Sequence, residues 1–441
     1  MTNPDREMPP PDAPYRDPAR SVDERVVDLL ARMSIEEKAG QLFHTIVAIG
    51  AGGSIADQGV GGPGVRELVG ERHLTHLNVL AAPSSAGEMA RWHNRLQELA
   101  SSTRLGIPVT VSSDPRHGFT DNPGAGLLAG PFSQWPETLG LAATRDADLV
   151  ERFADIARQE YLAVGIRTAL HSQVDLATEP RWARTDSTFG EDADLTTQLG
   201  VAYVRGFQAT GDVARAAGLD TGFGPGSVST MTKHFPGGGP QADGEDAHFD
   251  YGREQVYPGG AFDLHLKLFL ALIAAGTRAL MPYYGMPVDL VLDGEPVEPV
   301  GFGFNRQIVT GLPRDRLGFT GIVCSDWGLV TDGEIMGEPF PARAWARSTC
   351  PQSTGPRRSS TPASTSSAAR RAPSWWSSWS APGGSRRTGS TSRCTGCSPR
   401  SSCSDCSTTP ATSTPTPRPR WWEARRSAAP VGWRSRVPSR S

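Results

Sequence analysis

A chain of 441 residues is long enough for one or two complete hydrophobic cores, and its average composition, 37% hydrophobic and 21% charged with net charge −3, is that of an ordinary globular protein. The average hides two unlike parts that meet near Arg347. Residues 347–441 contain no Leu, Ile, Phe, Tyr, Met, Lys, Asn or His and carry 16 Arg against only Asp405 and Glu423; that balance of +14 leaves about −17 on the first 346 residues, which argues against nucleic acid or an anionic membrane as a partner because the summed field repels phosphate.

Residues 1–20, with the Pro-rich run MTNPDREMPPPDAPYRDP, read as an N-terminal extension. They show neither a basic start followed by an apolar run nor a small-residue cleavage site, and no stretch of about 20 apolar residues occurs anywhere, so a cytoplasmic location is expected. Next, Val22, Val26, Leu29, Leu30 and Met33 fall at helical spacing, and Ser34 with Glu37 has the form of a capping box, which predicts a helix pair feeding a strand. Seven β-rich runs then alternate with amphipathic ones: Leu42–Ile49, His73–Leu80, Ile107–Asp114, Thr168–Leu176, Ser229–Phe235, Arg278–Tyr284 and Gly321–Trp327. Helices are expected in AGEMARWHNRLQELA, DADLVERFADIARQEYLAVG, DLTTQLGVAYVRGFQ and AFDLHLKLFLALIAAG, where apolar residues recur at three- and four-residue steps.

Strand, helix, strand in this order implies right-handed parallel crossovers, hence an α/β fold. Alternation alone also fits a doubly wound sheet. A (β/α)8 TIM-type barrel is preferred because Asp114, His117, Asp175, Lys233, His234, Tyr284 and Asp326 gather at the ends of several different strands, where a barrel builds its active face. The barrel is expected to be incomplete, since an eighth strand and helix should follow Trp345 and residues 347–441 lack the aliphatic side chains to supply them. Such a low-complexity Ser, Arg, Pro and Thr-rich tail cannot offset the entropy of ordering and reads as disordered. Its tryptophans (Trp375, Trp376, Trp379, Trp421, Trp422 and Trp433) would be odd in a natural linker, so an out-of-frame translation of a GC-rich gene is the favoured reading.

Cys324 is the sole cysteine of residues 1–346, so disulfides do not hold this body together. Cys394-x-x-Cys397 and Cys403-x-x-Cys406 have a zinc-like form, but their five-residue spacer and Ser/Thr/Arg surroundings give no hydrophobic shell. No metal and no cofactor are expected. The glycines of FPGGGP lack the Gly-Lys-Ser/Thr ending of a phosphate loop.

Six motifs in order, RVVDLLARMSIEEKAGQL, TRLGIPVTVSSDPRHG, VDLATEPRWARTDSTFGED, KHFPGGG, MPYYGMP and GFTGIVCSDW, give residues 21–346 a resemblance to most of the catalytic barrel of the family 3 glycoside hydrolases, β-glucosidase branch. The resemblance implies a retaining enzyme for a small carbohydrate with a terminal β-linked glucose-like residue. One carboxylate attacks the anomeric carbon while an acid protonates the leaving oxygen. It makes Asp326 of the SDW segment the nucleophile and Lys233, His234, Asp114 and Arg184 the holders of sugar hydroxyls. Tyr284 and Trp327 become the nucleophile's neighbour and an aromatic wall. On residue type alone, Asp326 is equally a turn aspartate, Asp114 and Arg184 halves of structural ion pairs, and Tyr284 and Trp327 core aromatics.

The sequence departs from the family pattern at Glu179 and Ala183, where Asp and Gly are common; Ala183 matters only if that position needs positive φ. Glu191 and Asp192 read as helix caps and Arg181 and Trp182 as packing. The general acid/base of the β-glucosidase branch lies in a second domain for which no counterpart is seen, and Glu423 lacks a matching context. A second branch, single-domain β-N-acetylglucosaminidases, uses an Asp-x-His dyad, and Asp246-Ala247-His248 has that form, although a polar loop bonding its own backbone would look the same. A reading of another class is an inactive, truncated barrel with at most weak sugar binding. The oligomeric state is left open.

Overall fold

The computed structural model describes residues 8–59, 62–80, 83–119, 127, 129–218, 222–330, 332–335 and 338–345, all within one compact unit, Met1–Thr354. The expected tail, its cysteine pairs and Glu423 lie outside the described residues.

Two short helices open the fold, α1 (Val22–Arg32) and α2 (Ile35–Gly40). The capping box expected at Ser34 and Glu37 is present, and Ser21 with Glu24 forms a second one that satisfies the first amides of α1. Glu37 also accepts from Arg104 Nε at 2.9 Å, while Arg104 Nη2 donates to Arg32 O at 2.8 Å, so one carboxylate ties the helix pair to the loop after the next long helix. Burial alone would raise the Glu37 pKa, but Arg104 and the Ser34 amide hold it below the ordinary value.

Seven parallel strands follow in strict sequence order: β1 (His44–Val47), β2 (His76–Val79), β3 (Thr110–Ser113), β4 (Ile166–Ala169), β5 (Ser229–Phe235), β6 (Ala279–Pro282) and β7 (Ile322–Val323). Helices α3 (Val65–Gly70), α4 (Ala86–Ser101), α5 (Thr138–Ala143), α6 (Ala147–Ala163), α7 (Ala193–Gln208), α8 (Asp212–Ala216) and α9 (Phe262–Ala274) lie between them. This is the alternating topology of a (β/α)8 barrel with seven strands in place. All four long helices expected from the sequence form, three of them capped by Ser85, Asp146 and Asp192 accepting amides of the first turn. Asp192 is thus the cap it was expected to be.

Two strands differ from expectation. The fourth ends at Ala169 rather than Leu176, because residues 170–176 leave the ladder as a buried irregular run bonded to β5, Lys233 N donating to Ser172 O and Val174 N to Lys233 O, both at 2.9 Å. The seventh keeps only two ladder residues. Between sheet and helices, Phe153, Tyr161, Tyr203 and Phe207 join one core with Val111, Ile166, Leu268 and Phe269. No helix among the described residues is long and apolar enough to cross a membrane.

Two stability measurements follow. Glu37→Ala leaves the Arg104 guanidinium without its counter-charge in a mostly buried place, so it is expected to lower the unfolding free energy by about 3 kcal/mol in urea titrations. Four histidines, His44, His171, His234 and His265, are pushed below 6.5 chiefly by burial, to about 3 for His44 and about 4 for His234 and His265. They bind protons in the unfolded chain below 6.5, whereas in the native one the rings of His234 and His265 stay neutral down to about 4 and that of His44 down to about 3. Stability is therefore expected to fall as pH drops through that window, by more than about 1.4 kcal/mol per pH unit, the slope of a single proton. Urea midpoints between pH 7 and 4 measure it.

Candidate active site

β5 carries the centre of the site. After Ser229 every residue of the strand is buried, and its last part, Lys233-His234-Phe235, delivers two polar side chains into the interior. Lys233 Nζ donates to Asp114 Oδ1 at 3.0 Å, immediately past the end of β3. Asn78, on β2, donates to the other oxygen, Asp114 Oδ2, at 3.2 Å. The ends of β2, β3 and β5 thus meet on one carboxylate.

His234 is fixed from two sides. Its Nδ1–H donates to Asp175 Oδ2 at 2.7 Å, and its backbone N–H donates to Asp175 Oδ1 at 3.1 Å. With the ring proton on Nδ1, Nε2 is left as an acceptor, and Arg184 Nη1 donates to it at 3.1 Å. Arg184 Nη2 donates to Gln173 Oε1 at 2.8 Å. Burial, then the Arg184 charge, push the His234 pKa down to about 4, against the pull of Asp175, so the ring is neutral at physiological pH. Asp175 is completely buried; burial would raise its pKa, but His234 and the backbone amides of His234 and Gly238 hold it below the ordinary carboxylate value.

Asp326 lies past the end of β7, with Oδ2 3.9 Å from His234 Nε2 and Oδ1 accepting from the Trp327 amide at 2.8 Å. The Tyr284 hydroxyl donates to Trp327 O, and its pKa is driven well above 10 by burial and by the Asp326 charge, so it stays protonated beside the carboxylate. The Trp327 ring meets His44 of β1 edge to face, 5.1 Å between centroids.

Asp246 and His248 join the same wall. Asp246 Oδ1 accepts from His248 Nδ1 at 2.5 Å and from the His248 amide at 2.9 Å, and Oδ2 accepts from Trp182 Nε1 at 3.1 Å. Burial would raise the Asp246 pKa, but the His248 ring and amide and the Arg184 charge keep it below its ordinary value. The His248 ring packs edge-on against Tyr284, 4.8 Å between centroids, and its carbonyl accepts from Arg343 Nη2 at 3.0 Å. Trp182, expected only to pack, is also a hydrogen-bond donor.

All nine residues singled out from the sequence are therefore in one connected cluster. Ala183 raises no backbone difficulty, since it is not among the described residues with positive φ. Asp175 was visible as a polar residue in the apolar run Val174-Asp175-Leu176, although its role was not. Gln173, Asn78 and Arg343 carried no signal in the chain, because only the packing of distant loops gives them a partner. Among the described residues no group of His, Cys, Asp and Glu has the arrangement of a metal site.

The profile of the family described as "Glycosyl hydrolase family 3 N terminal domain" matches residues 35–349. The chain is 55% identical over 334 residues to the probable beta-glucosidase C of Aspergillus flavus, covering 75% of this chain and 50% of that protein. It is 52% identical over 331 residues to the beta-glucosidase C of Emericella nidulans, again with 75% and 50% covered. The chain thus spans about half the length of these relatives. Among solved structures, a glycoside hydrolase family 3 beta-N-acetylglucosaminidase from Paenibacillus sp. superposes with a TM-score of 0.50 at 25% identity, over 67% of this chain and 49% of that one. With motifs, topology and strand-end cluster in agreement, this chain belongs to glycosyl hydrolase family 3.

Proposed function

We propose that the protein is a retaining glycoside hydrolase for terminal β-linked glucose-like residues, with residues 21–346 as its catalytic domain and Asp326 as the nucleophile. The observation that carries this reading is the meeting of Asp326, His234 and Arg184 beside the Lys233–Asp114 pair, at the ends of strands far apart in sequence. Attack by Asp326 on the anomeric carbon forms a glycosyl–Asp intermediate and releases the aglycone; water then returns the carboxylate. Arg184 and Lys233 are the donors to sugar hydroxyls and Asp114 the acceptor, while neutral His234 keeps its lone pair toward Arg184. Tyr284, protonated, holds the loop that carries the nucleophile.

Among the described residues the proton for the leaving oxygen has no matching source. Asp175 and Asp246, both held below the ordinary carboxylate pKa, already accept from His234 and His248, and an ionised acceptor cannot act as the acid. Aglycones that leave unaided should therefore react far better than natural disaccharides. A second reading is favoured by one observation, the 2.5 Å bond from His248 to Asp246 next to Tyr284. There the pair is the acid/base of a β-N-acetylglucosaminidase. An inactive barrel with weak sugar binding is the third.

A 2-deoxy-2-fluoro-β-glucoside with a dinitrophenolate leaving group is expected to attach covalently to Asp326, to persist there, and to fail to label Asp326→Ala. Peptide mapping by mass spectrometry reads the position, and a label on any other carboxylate would refute the nucleophile. The two enzymatic readings separate at His248. On the first, His248→Ala leaves turnover of aryl β-glucosides nearly unchanged; on the second, it costs about 10²-fold or more in kcat, and N-acetylglucosaminides are preferred.

A further inference from the structure

Asn78 is out of character for its place. It sits inside β2 in the run His76-Leu77-Asn78-Val79, is 2% exposed, and is flanked by two fully buried aliphatic residues. A carboxamide is poorly suited to a buried strand, and each polar atom it takes inside must find a partner. Both polar atoms of this one do. Ser112 of β3, paired with Asn78 in the ladder, donates its hydroxyl to Asn78 Oδ1 at 3.4 Å. With that proton directed at the amide, the 2.7 Å contact between His44 Nε2 and Ser112 Oγ has the ring as donor. The amide carbonyl is thereby turned to Ser112 and the amide nitrogen to Asp114, where it donates to Oδ2 at 3.2 Å.

We propose that Asn78 is a positioning residue for Asp114, setting that carboxylate in the orientation that accepts hydroxyls of the bound glycosyl unit. The proposal rests on the reading of Asp114 as a sugar acceptor. Asn78 is too buried to meet a sugar itself, whereas the Asp114 side chain keeps 19% of its surface open. A carboxylate offers about four acceptor positions, two on each oxygen. Lys233 takes one on Oδ1 and Asn78 one on Oδ2, which fixes the plane of the group from two strands and leaves a position on each oxygen for a substrate hydroxyl. Lys233 alone would hold one oxygen and let the carboxylate turn about it. The amide is the group that suits this place, because it accepts from Ser112 with one atom and donates to Asp114 with the other. Neither a carboxylate nor an aliphatic side chain of the same size does both.

Binding of D-glucose to the full chain, measured by titration calorimetry between pH 5 and 8, tests this without turnover. Asn78→Asp keeps the shape and exchanges the donor for a second carboxylate. Near pH 5 the two facing carboxylates share one proton and the bond is restored; by pH 8 both are ionised and repel. Lys233, Arg116 and Tyr161 also face Asp114 and His44 lies behind Ser112, but the wild type carries the same four, so the comparison isolates position 78. The dissociation constant of the variant is expected to rise by about tenfold or more across this range, beyond any change in the wild type. Asn78→Ala, which adds no charge, is expected to weaken glucose by about tenfold, and to cost nothing further with the one deoxyglucose that Asp114→Ala also leaves unaffected. Variants that bind glucose as the wild type does, a loss that is equal at every pH and for every deoxyglucose, or a wild type that binds no glucose would each overturn the proposal. Labelling by the 2-deoxy-2-fluoro-β-glucoside separates it from the reading beneath it: label on Asp326 alongside any of these results removes the role of Asn78 alone, whereas no label on the wild type removes both.

Discussion

The arrangement depends first on Asp175, a carboxylate with no exposed surface. An isolated charge there would cost far more than the fold has to spare, so its surroundings must supply donors from several directions. They come from the His234 ring, the His234 amide and the Gly238 amide. Bringing the Gly238 amide in requires the chain after β5 to press against the run after β4. This explains the three glycines of FPGGGP better than any ligand does. Gly237 has φ +132°, a Cβ on Gly238 would sit 3.0 Å from both Asp175 Oδ1 and the Tyr283 ring, and one on Gly239 would collide with Leu176 O.

That constraint sets the proton inventory of the whole cluster. Because Asp175 accepts from Nδ1–H, His234 presents a lone pair at Nε2, and a donor is needed to face it. Arg184 fills that place and is held above its ordinary pKa, although burial opposes it, by Tyr283, Asp246, Asp326 and Asp175 around it. Replacing Arg184 by Lys would lose the fork that reaches His234 and Gln173 together. One tautomer, chosen by a residue that need never touch a substrate, thereby orients a cation between two loops.

The sequence was legible wherever a local pattern is sufficient. Seven β-rich runs, four long helices and the Ser34–Glu37 cap are properties of short windows, and they formed. Residues 170–176 misled for a physical reason: buried on all sides, they have the apolar content of a strand while their backbone bonds are spent on β5 rather than on a regular ladder. The motifs brought out the nine cluster residues, whereas Asn78, Gln173 and Arg343 matter only through neighbours 36, 11 and 95 positions away in the chain. No pattern in one sequence encodes such a meeting.

The two halves of the cluster are not held alike. Asp114, Lys233 and His234 lie on or next to strands paired on both sides, and Asp175, in the irregular run after β4, is held by its bonds to His234 and Gly238. Asp326 follows a two-residue strand that, among the described residues, is paired on one side only. Its place is fixed by contacts beyond the ladder: its own bond to the Trp327 amide, the Tyr284 bond to Trp327 O, and the packing of the Trp327 ring on His44. The His44 ring is in turn anchored through Nε2 to Ser112 Oγ of β3 at 2.7 Å, so the register of the proposed nucleophile is borrowed from the opposite side of the barrel. The half anchored on doubly paired strands is rigid and the half that carries Asp326 is tied to β1 through one ring contact, so geometry at Asp326 is the more sensitive to changes at His44. The neutral His44 ring, kept so by burial and by the neighbouring His76, sits at the point where that sensitivity enters.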